Sequence, residues 1–351
     1  MENNILFDCE RMRYPNTGLY SYCNQLGKAL LLLKKPSENL LFYGPKTLND
    51  IFGLAGSFLQ HYLFHKIIFP NAENIDVWHA THQGTDYFPF NKGVKIVLTI
   101  HDINFMHEQS KSVSKQKKYL DKLKSKIERA DHIVFISEFT KKDVSQYISL
   151  EHKKLSVIYN GCDLATLNKI GTPNNAPKEP FIFSLGLITA KKNMHVLPPL
   201  LCGNDFKLVI GGHIQSKEYM NIILEEAKKF GVLDRLIFAG SLSENDKQWY
   251  YANCIAFAFP SIAEGFGLPP IEAMKFGKPV FLSKYTSLPE VGGDKAFYFN
   301  NFDPDSMRDT FFSGLQKFKN NQMSDSIKLH AEQFSWQKAA NKYLEAYRSL
   351  Y

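Results

Sequence analysis

No apolar run in this sequence approaches the roughly 20 residues that a membrane-spanning helix needs. We also expect no secretory signal, because the first four residues carry an acid where such a signal would carry Lys or Arg. The five cysteines are scattered without a CxxC pair, which argues against a zinc site and against a disulfide framework. We therefore expect a cytoplasmic protein in a reducing compartment, either soluble or peripheral at the inner face of a membrane.

Acidic residues are fewer than basic ones, and the formal net charge is +7. Such a charge suits an anionic substrate, an anionic membrane surface or nucleic acid about equally well. Much of it lies in residues 111–129, where apolar residues recur at helical intervals. Two interpretations stay open: a helix with a solvated basic face, or an amphipathic helix that contacts an anionic membrane. Nucleic acid is disfavoured, because the segment has no series of interleaved aromatic residues for stacking on bases. The sequence carries no signal for an oligomeric state.

Short apolar runs alternate with longer helical patterns along the chain, which predicts an α/β protein built from βαβ units around parallel sheets. A stretch of breakers at 171–180 has no apolar face and predicts a linker. We therefore predict an N-terminal domain of residues 1–170, a C-terminal domain of residues 181–334 and an amphipathic helix at 335–351. The predicted strands are 5–8, 40–43, 76–79, 95–100, 132–136, 156–159, 181–185, 207–210, 235–238, 255–259 and 280–282.

The loop after the predicted strand 255–259 has the strongest chemical pattern. Pro269 and Pro270 open the next helix, and the backbone N–H groups of Gly265, Phe266, Gly267 and Leu268 lie just before it. Such N–H groups at a helix N-terminus form an anion site that suits a diphosphate. Glu264 and Glu272 flank this loop, and carboxylates accept hydrogen bonds from sugar hydroxyls. Taken singly, Glu272 is also explained as a charge near a helix N-terminus, and Glu264 as a solvated loop acid.

Further polar residues follow other predicted strands. Lys191 and Lys192 come after the strand 181–185, where an ammonium could bind a phosphate. His101 and Asp102 follow the strand 95–100, at the carboxyl edge where α/β sheets bind ligands. Gly18 lies in the loop that opens the first helix. Asp303-Pro304-Asp305 has the spacing of a DxD metal site, but its place before a helical pattern favours a cap at Asp305 or Ser306.

The residues from Glu264 to Glu272 resemble the E-x7-E motif of the retaining glycosyltransferases of family 4. The resemblance extends through Phe238-Ala239-Gly240, through residues 277–280 and through residues 287–294. It covers the C-terminal half closely and the first half more loosely. It implies the GT-B fold: two Rossmann-like domains whose parallel sheets face a central cleft, with the C-terminal helix packed back on the N-terminal domain.

The resemblance also implies roles for the candidate residues. Glu264 would bind hydroxyls of the transferred sugar, and Glu272 would bind the ribose of the nucleotide. The donor diphosphate would be held by Lys192, with Lys191 secondary, and by residues 265–268, with Gly18 as a possible neighbour. His101 would lie near the reacting sugar, and Asp102 would orient the loop or His101. One departure is Leu187, because many relatives have Arg directly after the preceding glycine.

We therefore expect a retaining, metal-independent glycosyltransferase with no cofactor beyond its nucleotide-sugar donor. It would transfer a hexose, with mannose favoured, to a glycan or lipid-linked acceptor in bacterial-type polysaccharide assembly. GDP-mannose is favoured over UDP- or dTDP-sugars, and the basic segment 111–129 could contact a lipid-diphosphate acceptor. Two alternatives remain: a GT-B-fold nucleotide-sugar epimerase or hydrolase, and a non-catalytic subunit that binds nucleotide-sugar.

Overall fold

The computed structural model describes residues 2–15, 17–53, 58–68, 74–89, 91–107, 111–164 and 170–351. The chain divides into two units. The first unit contains Met1–Gly161 together with Phe334–Tyr351, and the second contains Cys162–Gln333. No helix in the described ranges is both long enough and apolar enough to cross a membrane.

The first unit is built on a parallel sheet, which has seven strands in the residues described. Their order in the sheet is β3-β2-β1-β4-β5-β6-β7, so the strand sequence reverses between β1 and β4. The strands are β1 (Asn3–Asp8), β2 (Glu38–Gly44), β3 (Phe58–Gln60), β4 (Val77–Ala80), β5 (Lys95–Ile100), β6 (His132–Phe135) and β7 (Lys154–Val157). The helices that precede the second unit are α1 (Gly18–Leu33), α2 (Leu48–Phe52), α3 (Val113–Arg129) and α4 (Glu138–Ser145).

The second unit repeats this plan with six parallel strands in its described part, in the order β10-β9-β8-β11-β12-β13. This is the doubly wound order of dinucleotide-binding folds, which place ligands where the strand sequence reverses. The strands are β8 (Phe181–Leu185), β9 (Lys207–Gly211), β10 (Leu236–Gly240), β11 (Ala256–Phe259), β12 (Val280–Ser283) and β13 (Phe297–Phe299). The helices are α5 (Lys217–Lys229), α6 (Glu244–Asn253), α7 (Leu268–Lys275), α8 (Leu288–Gly292), α9 (Pro304–Asn320) and α10 (Ser324–Ala331).

The predicted strands agree with the central strands of both sheets. The predictions 95–100 and 181–185 coincide with β5 and β8, because these apolar runs are buried on both faces of their sheets. The prediction 156–159 lies two residues late, since β7 ends at Val157. The edge strands β3 and β13 were not predicted, because a run of three residues is too short to distinguish from a loop.

The predicted linker at 171–180 lies inside the second unit, because the structure changes unit after Gly161. The Gly171 N–H donates to Asn245 Oδ1 at 3.0 Å, and Asn245 Nδ2 donates to Gly171 O at 3.2 Å. These two hydrogen bonds attach the start of the segment to α6. A lack of apolar side chains is therefore no barrier to docking through the backbone.

The C-terminal helix, α11 (Trp336–Arg348), packs against α1, as predicted. Tyr343 and Tyr347 enter a buried chain of hydrogen bonds: Tyr347 OH to His79 Nδ1 at 2.6 Å, His79 Nε2 to Thr99 Oγ1 at 2.8 Å, and Thr99 Oγ1 to Tyr343 OH at 3.0 Å. Burial lowers the pKa of His79 to about 3, so its ring is neutral. Because each polar group of this chain has a partner, α11 completes the core of the first unit without an unpaired charge.

Helix α3 carries the basic segment. It begins after Ser112, whose Oγ accepts the Lys115 N–H. Leu123 and Ile127 are buried in the core of the first unit, whereas Val113 is exposed. The apolar face of α3 therefore packs within the protein, and its exposed side is basic.

An ion pair attaches the end of α11 to the sheet. Arg348 donates from Nε and NH2 to the two carboxylate oxygens of Glu38, at 2.6 Å and 2.9 Å. Burial of Glu38 favours its neutral form, but the hydrogen bonds from Arg348 and from the Lys35 N–H outweigh this and leave its pKa lowered. The pair therefore stabilises the fold at neutral pH.

We predict that Arg348→Met lowers the free energy of unfolding by about 1.5–3 kcal/mol, because a carboxylate loses a bidentate charged partner. The contribution exists above the ordinary glutamate pKa and is lost as the pH falls through the lowered folded value, so the deficit shrinks in acid. Urea unfolding at several pH values measures it. Lys154→Met is the control, since Lys154 also contacts the end of α11 but is exposed; equal losses in both variants would contradict the prediction.

Candidate active site

The candidate residues of the second unit follow β8 and β11. These two strands are neighbours in the sheet and mark the point where the strand sequence reverses. Because both strands are parallel, the segments that follow them leave the same edge of the sheet. The Lys191 carbonyl accepts the Ile262 N–H at 2.9 Å and the Ser261 hydroxyl at 3.0 Å, which joins the two segments directly.

Lys192 and Glu264 form an ion pair at this edge. Lys192 Nζ donates to Glu264 Oε1 and lies 4.9 Å from the centroid of the Phe259 ring. The two side chains are 12% and 14% exposed. By contrast, the Lys191 side chain is exposed. The structure thus brings Lys192, rather than Lys191, to the carboxylate that the sequence predicts as the sugar ligand.

The loop between Glu264 and α7 depends on Gly267. Its φ is 108°, a left-handed conformation that L side chains rarely adopt. Gly267 is also the N-cap of α7 and has no side chain to cap the helix, while Pro269 occupies the first turn. The loop is attached to the following segment, because the Ser287 hydroxyl donates to Phe266 O at 2.7 Å and the Glu264 N–H donates to Thr286 Oγ1 at 3.2 Å. The helix therefore begins without a side-chain cap, and Pro269 and Pro270 in its first turn carry no N–H.

Glu272 on α7 is held by two residues of α6. Tyr251 OH donates to Glu272 Oε2 at 2.7 Å, and Lys247 Nζ donates to Oε1 at 2.9 Å. Burial and the charge of Glu272 raise the pKa of Tyr251 well above its usual range, so the phenol stays protonated. Burial disfavours the charged form of Lys247, but Glu272 and Glu244 outweigh it and raise the Lys247 pKa.

Sequence reasoning missed Lys247 and Tyr251. Their spacing of four residues places both side chains on one face of α6, and this is the only signal that the sequence itself contains. It does not reveal the partner, because Glu272 lies on a different helix. Only the packing of α6 against α7 brings the three side chains together.

His101, Asp102 and Gly18 belong to the first unit. The buried His101 Nε2 lies 2.8 Å from Thr81 O, and because a carbonyl only accepts, Nε2 carries the proton. Burial lowers the His101 pKa, although this hydrogen bond opposes the shift. The ring is therefore neutral, and Nδ1 is left as a hydrogen-bond acceptor.

Asp102 has a local structural partner. Its Oδ1 accepts the Asn104 N–H at 3.0 Å, and its backbone oxygen accepts Gln83 Nε2 at 2.7 Å. These contacts order the loop that contains His101. Gly18 is the first residue of α1, and a Cβ added there would meet no atom within 4 Å. The catalytic role of His101 and the phosphate contact at Gly18 stay predictions.

The DxD-like segment caps a helix, as expected, but the capping residue is Asp303 rather than Asp305 or Ser306. Asp303 is the N-cap of α9, and its Oδ1 accepts the N–H groups of Asp305 and Ser306 at 3.1 Å and 3.0 Å. The cap is Asp303 because the helix already starts at Pro304, whose missing N–H costs nothing there. Among the described residues, no group of three or more His, Cys, Asp or Glu side chains could hold a metal ion. Leu187, the departure from the expected arginine, is 46% exposed.

Two family models match the chain. The model described as "Glycosyl transferases group 1" matches residues 168–325, and the one described as "Glycosyltransferase Family 4" matches residues 49–166. The chain belongs to the group 1 glycosyltransferases of family 4. The two matches include residues of both units of this glycosyltransferase, which agrees with the resemblance inferred from the E-x7-E motif.

Relatives and solved structures agree with this assignment. The glycosyltransferase is 23% identical to O-antigen chain mannosyltransferase B of Escherichia coli, over 99% of this chain and 100% of that protein. It is 31% identical to the serotype-specific mannosyltransferase WbdA of Escherichia coli over 66% of this chain, and this match spans 30% of WbdA. HepE of Anabaena, solved with UDP and glucose, has a TM-score of 0.73 at 17% identity, covering 99% of this chain and 100% of that one. The last comparison shows the fold and confirms the predicted GT-B class.

We predict that Gly267→Ala destabilises the second unit by about 2 kcal/mol or more, because the left-handed backbone is strained and the new Cβ would lie 2.8 Å from Leu288 Cδ2. Gly171→Ala is the control, since its Cβ would meet only Asn245, at 3.5 Å, and should change stability by less than about 0.5 kcal/mol. Urea unfolding compares the two variants. If both were equally stable, Gly267 would not be the required glycine of this loop.

Proposed function

We propose that this glycosyltransferase transfers mannose from GDP-mannose to a glycan or lipid-linked acceptor in polysaccharide assembly, with retention of the anomeric configuration. Mannose and the class of acceptor are supported by the names of two relatives, an O-antigen chain mannosyltransferase and a serotype-specific mannosyltransferase. Retention is inferred from the family resemblance. The single observation on which the proposal rests is the Lys192–Glu264 pair beside the N-terminus of α7.

The reaction requires opposite charges to be stabilised a few bonds apart. The bond between the anomeric carbon and the diphosphate oxygen breaks, which leaves negative charge on the nucleoside diphosphate and positive, oxocarbenium-like charge on the sugar. An acceptor hydroxyl then bonds to the anomeric carbon, and its proton passes to the departing phosphate oxygen. Catalysis therefore needs preorganised donors at the diphosphate and exclusion of water at the sugar.

The residues of the second unit suit these needs. Lys192 and the backbone N–H groups of residues 265–268, in the loop that leads into α7, would bind the diphosphate, and the Glu264 carboxylate would accept hydrogen bonds from the sugar hydroxyls. Lys192 and Glu264 form an ion pair with each other. An incoming donor carries both a negative diphosphate and donating hydroxyls, so it can replace each half of the ion pair with a matching partner.

Glu272 would bind the ribose. Lys247 and Tyr251 hold its two oxygens in place, so the carboxylate is oriented before the nucleotide arrives. An acceptor group that is already ordered loses less side-chain freedom on binding, which favours affinity. The two residues on α6 therefore act as positioning residues for the ribose contact.

Helix α3 supplies a contact for the membrane. Its exposed lysines, 115, 117, 118, 122 and 124, outnumber the exposed acids Asp121 and Glu128. We propose that this basic face approaches an anionic membrane, where a lipid-linked acceptor would reside. Each lysine near such a surface contributes roughly 1 kcal/mol of attraction, and salt screens it.

We predict that Glu264→Gln reduces turnover with GDP-mannose by about 100-fold or more, and that Lys192→Met does the same, because each removes a charge-assisted contact in a partly buried site. Turnover is measured as release of GDP in the presence of acceptor. Glu226→Gln and Lys229→Met are the controls, because these residues form a comparable but exposed ion pair on α5. Near-normal turnover in the two site variants would refute the assignment.

The donor and the metal requirement are tested together. We expect GDP-mannose to raise the melting temperature more than UDP-glucose or a dTDP-sugar, because a ligand that binds only the folded state stabilises it. Transfer should be unchanged by EDTA. Loss of activity in EDTA would indicate a metal requirement, and release of free mannose or an epimer from donor alone would indicate a hydrolase or an epimerase.

A further inference from the structure

An apolar segment on the surface of the first unit has no role in the chemistry above. It comprises residues 62–68, which follow β3 and include a 3₁₀ turn at Leu63–Lys66. The segment has five large apolar side chains that are 45–80% exposed: Tyr62, Leu63, Phe64, Ile67 and Ile68. Single exposed apolar residues are common on protein surfaces, but a contiguous group of this size marks an interaction site.

The segment is held in place from its inner side. His65 is buried, and its Nδ1 lies 3.1 Å from the hydroxyl of Tyr43, the penultimate residue of β2. The rings of Tyr62 and Phe64 stack on each other with centroids 5.4 Å apart. His65 therefore attaches the turn to the sheet, while the apolar side chains of the segment are exposed.

The surroundings of the segment are cationic. Lys66 pairs with Asp86 at 3.2 Å, and Asp86 also lines a cavity of about 310 Å³ with Lys122, Lys126 and Arg129 of α3. Burial alone would raise the Asp86 pKa, but Lys66, Lys126 and Lys122 together lower it. The apolar segment and the basic helix are thus neighbours on the same unit.

We propose that the apolar segment inserts into the interfacial region of an anionic lipid bilayer, with the lysines of α3 binding the headgroups. This inference rests on the membrane contact proposed above for α3, and it adds the element that α3 itself lacks. Leu123 and Ile127 are packed in the core, so they cannot enter lipid. Peripheral binding of this kind needs both apolar burial and attraction to anionic lipid, and the two adjacent elements provide one each.

The test is flotation of the full chain with vesicles of phosphatidylcholine mixed with phosphatidylglycerol, and with vesicles of phosphatidylcholine alone. We expect binding to the mixed vesicles, weakened but not abolished by salt. The triple variant Leu63→Ser, Ile67→Ser and Ile68→Ser should bind about ten-fold or more weakly, because it removes exposed apolar side chains only. The double variant Lys118→Gln and Lys122→Gln should bind the mixed vesicles about ten-fold more weakly. Its binding to vesicles of phosphatidylcholine alone should be unchanged.

The control variant replaces three exposed apolar residues outside the segment: Leu32→Ser, Ile222→Ser and Leu329→Ser. It should bind vesicles as the unmodified chain does. GDP-mannose binding by calorimetry, without lipid, should be unchanged in both triple variants. Failure of every variant to bind GDP-mannose would contradict the proposed donor and leave the membrane inference standing.

Several outcomes would overturn the inference. The first is a chain that does not float with mixed vesicles, and the second is equal flotation of the two triple variants. A lipid-free dimer that only the segment variant abolishes would show that the occupant is a second copy. A raised KM for lipid-linked acceptor, with unchanged flotation, would instead show that the segment binds the lipid of the acceptor.

Discussion

The contact between Lys192 and Glu264 depends on two strands that are adjacent in the sheet although they are not consecutive in the sequence. The two residues follow β8 and β11, and two other strands, β9 and β10, lie between these in the sequence. They meet because the doubly wound order places β8 beside β11, with their carboxyl ends at one edge of the sheet. The loop geometry at Gly267 and the contacts of Glu272 with α6 add detail to a candidate site that lies at this edge of the sheet.

The first unit has a similar sheet plan but carries different side chains at its strand ends. After β5 it carries a neutral His101, whose Nε2 donates to the Thr81 carbonyl, and α11 packs against α1. Tyr22 connects the two regions, because its ring packs edge-on against His101 at 4.7 Å and its hydroxyl donates to Tyr343 OH at 2.7 Å. The position of the imidazole is therefore coupled to the packing of the C-terminal helix.

Much of the architecture could be predicted from the sequence. A short stretch of residues is enough to recognise apolar strands such as β5 and β8, and the same holds for the amphipathic pattern of α11. The E-x7-E motif likewise gave the family and the sugar-side carboxylates as candidates. Three features could not be predicted. The edge strands are too short to have a pattern, the partners of Glu272 lie on another helix, and Gly171 contacts α6 through backbone groups that composition does not reveal. Each of these depends on contacts between residues that are distant in the sequence.

The place of α11 has a consequence for biosynthesis. The helix belongs to the core of the first unit, yet the ribosome makes it only after the whole second unit has been translated. Until then, the surfaces around Tyr22 and His79 that α11 covers remain open, so the unit made first is the last to be completed. A nascent chain of this kind would depend on chaperones for longer than one whose domains close in the order of their synthesis.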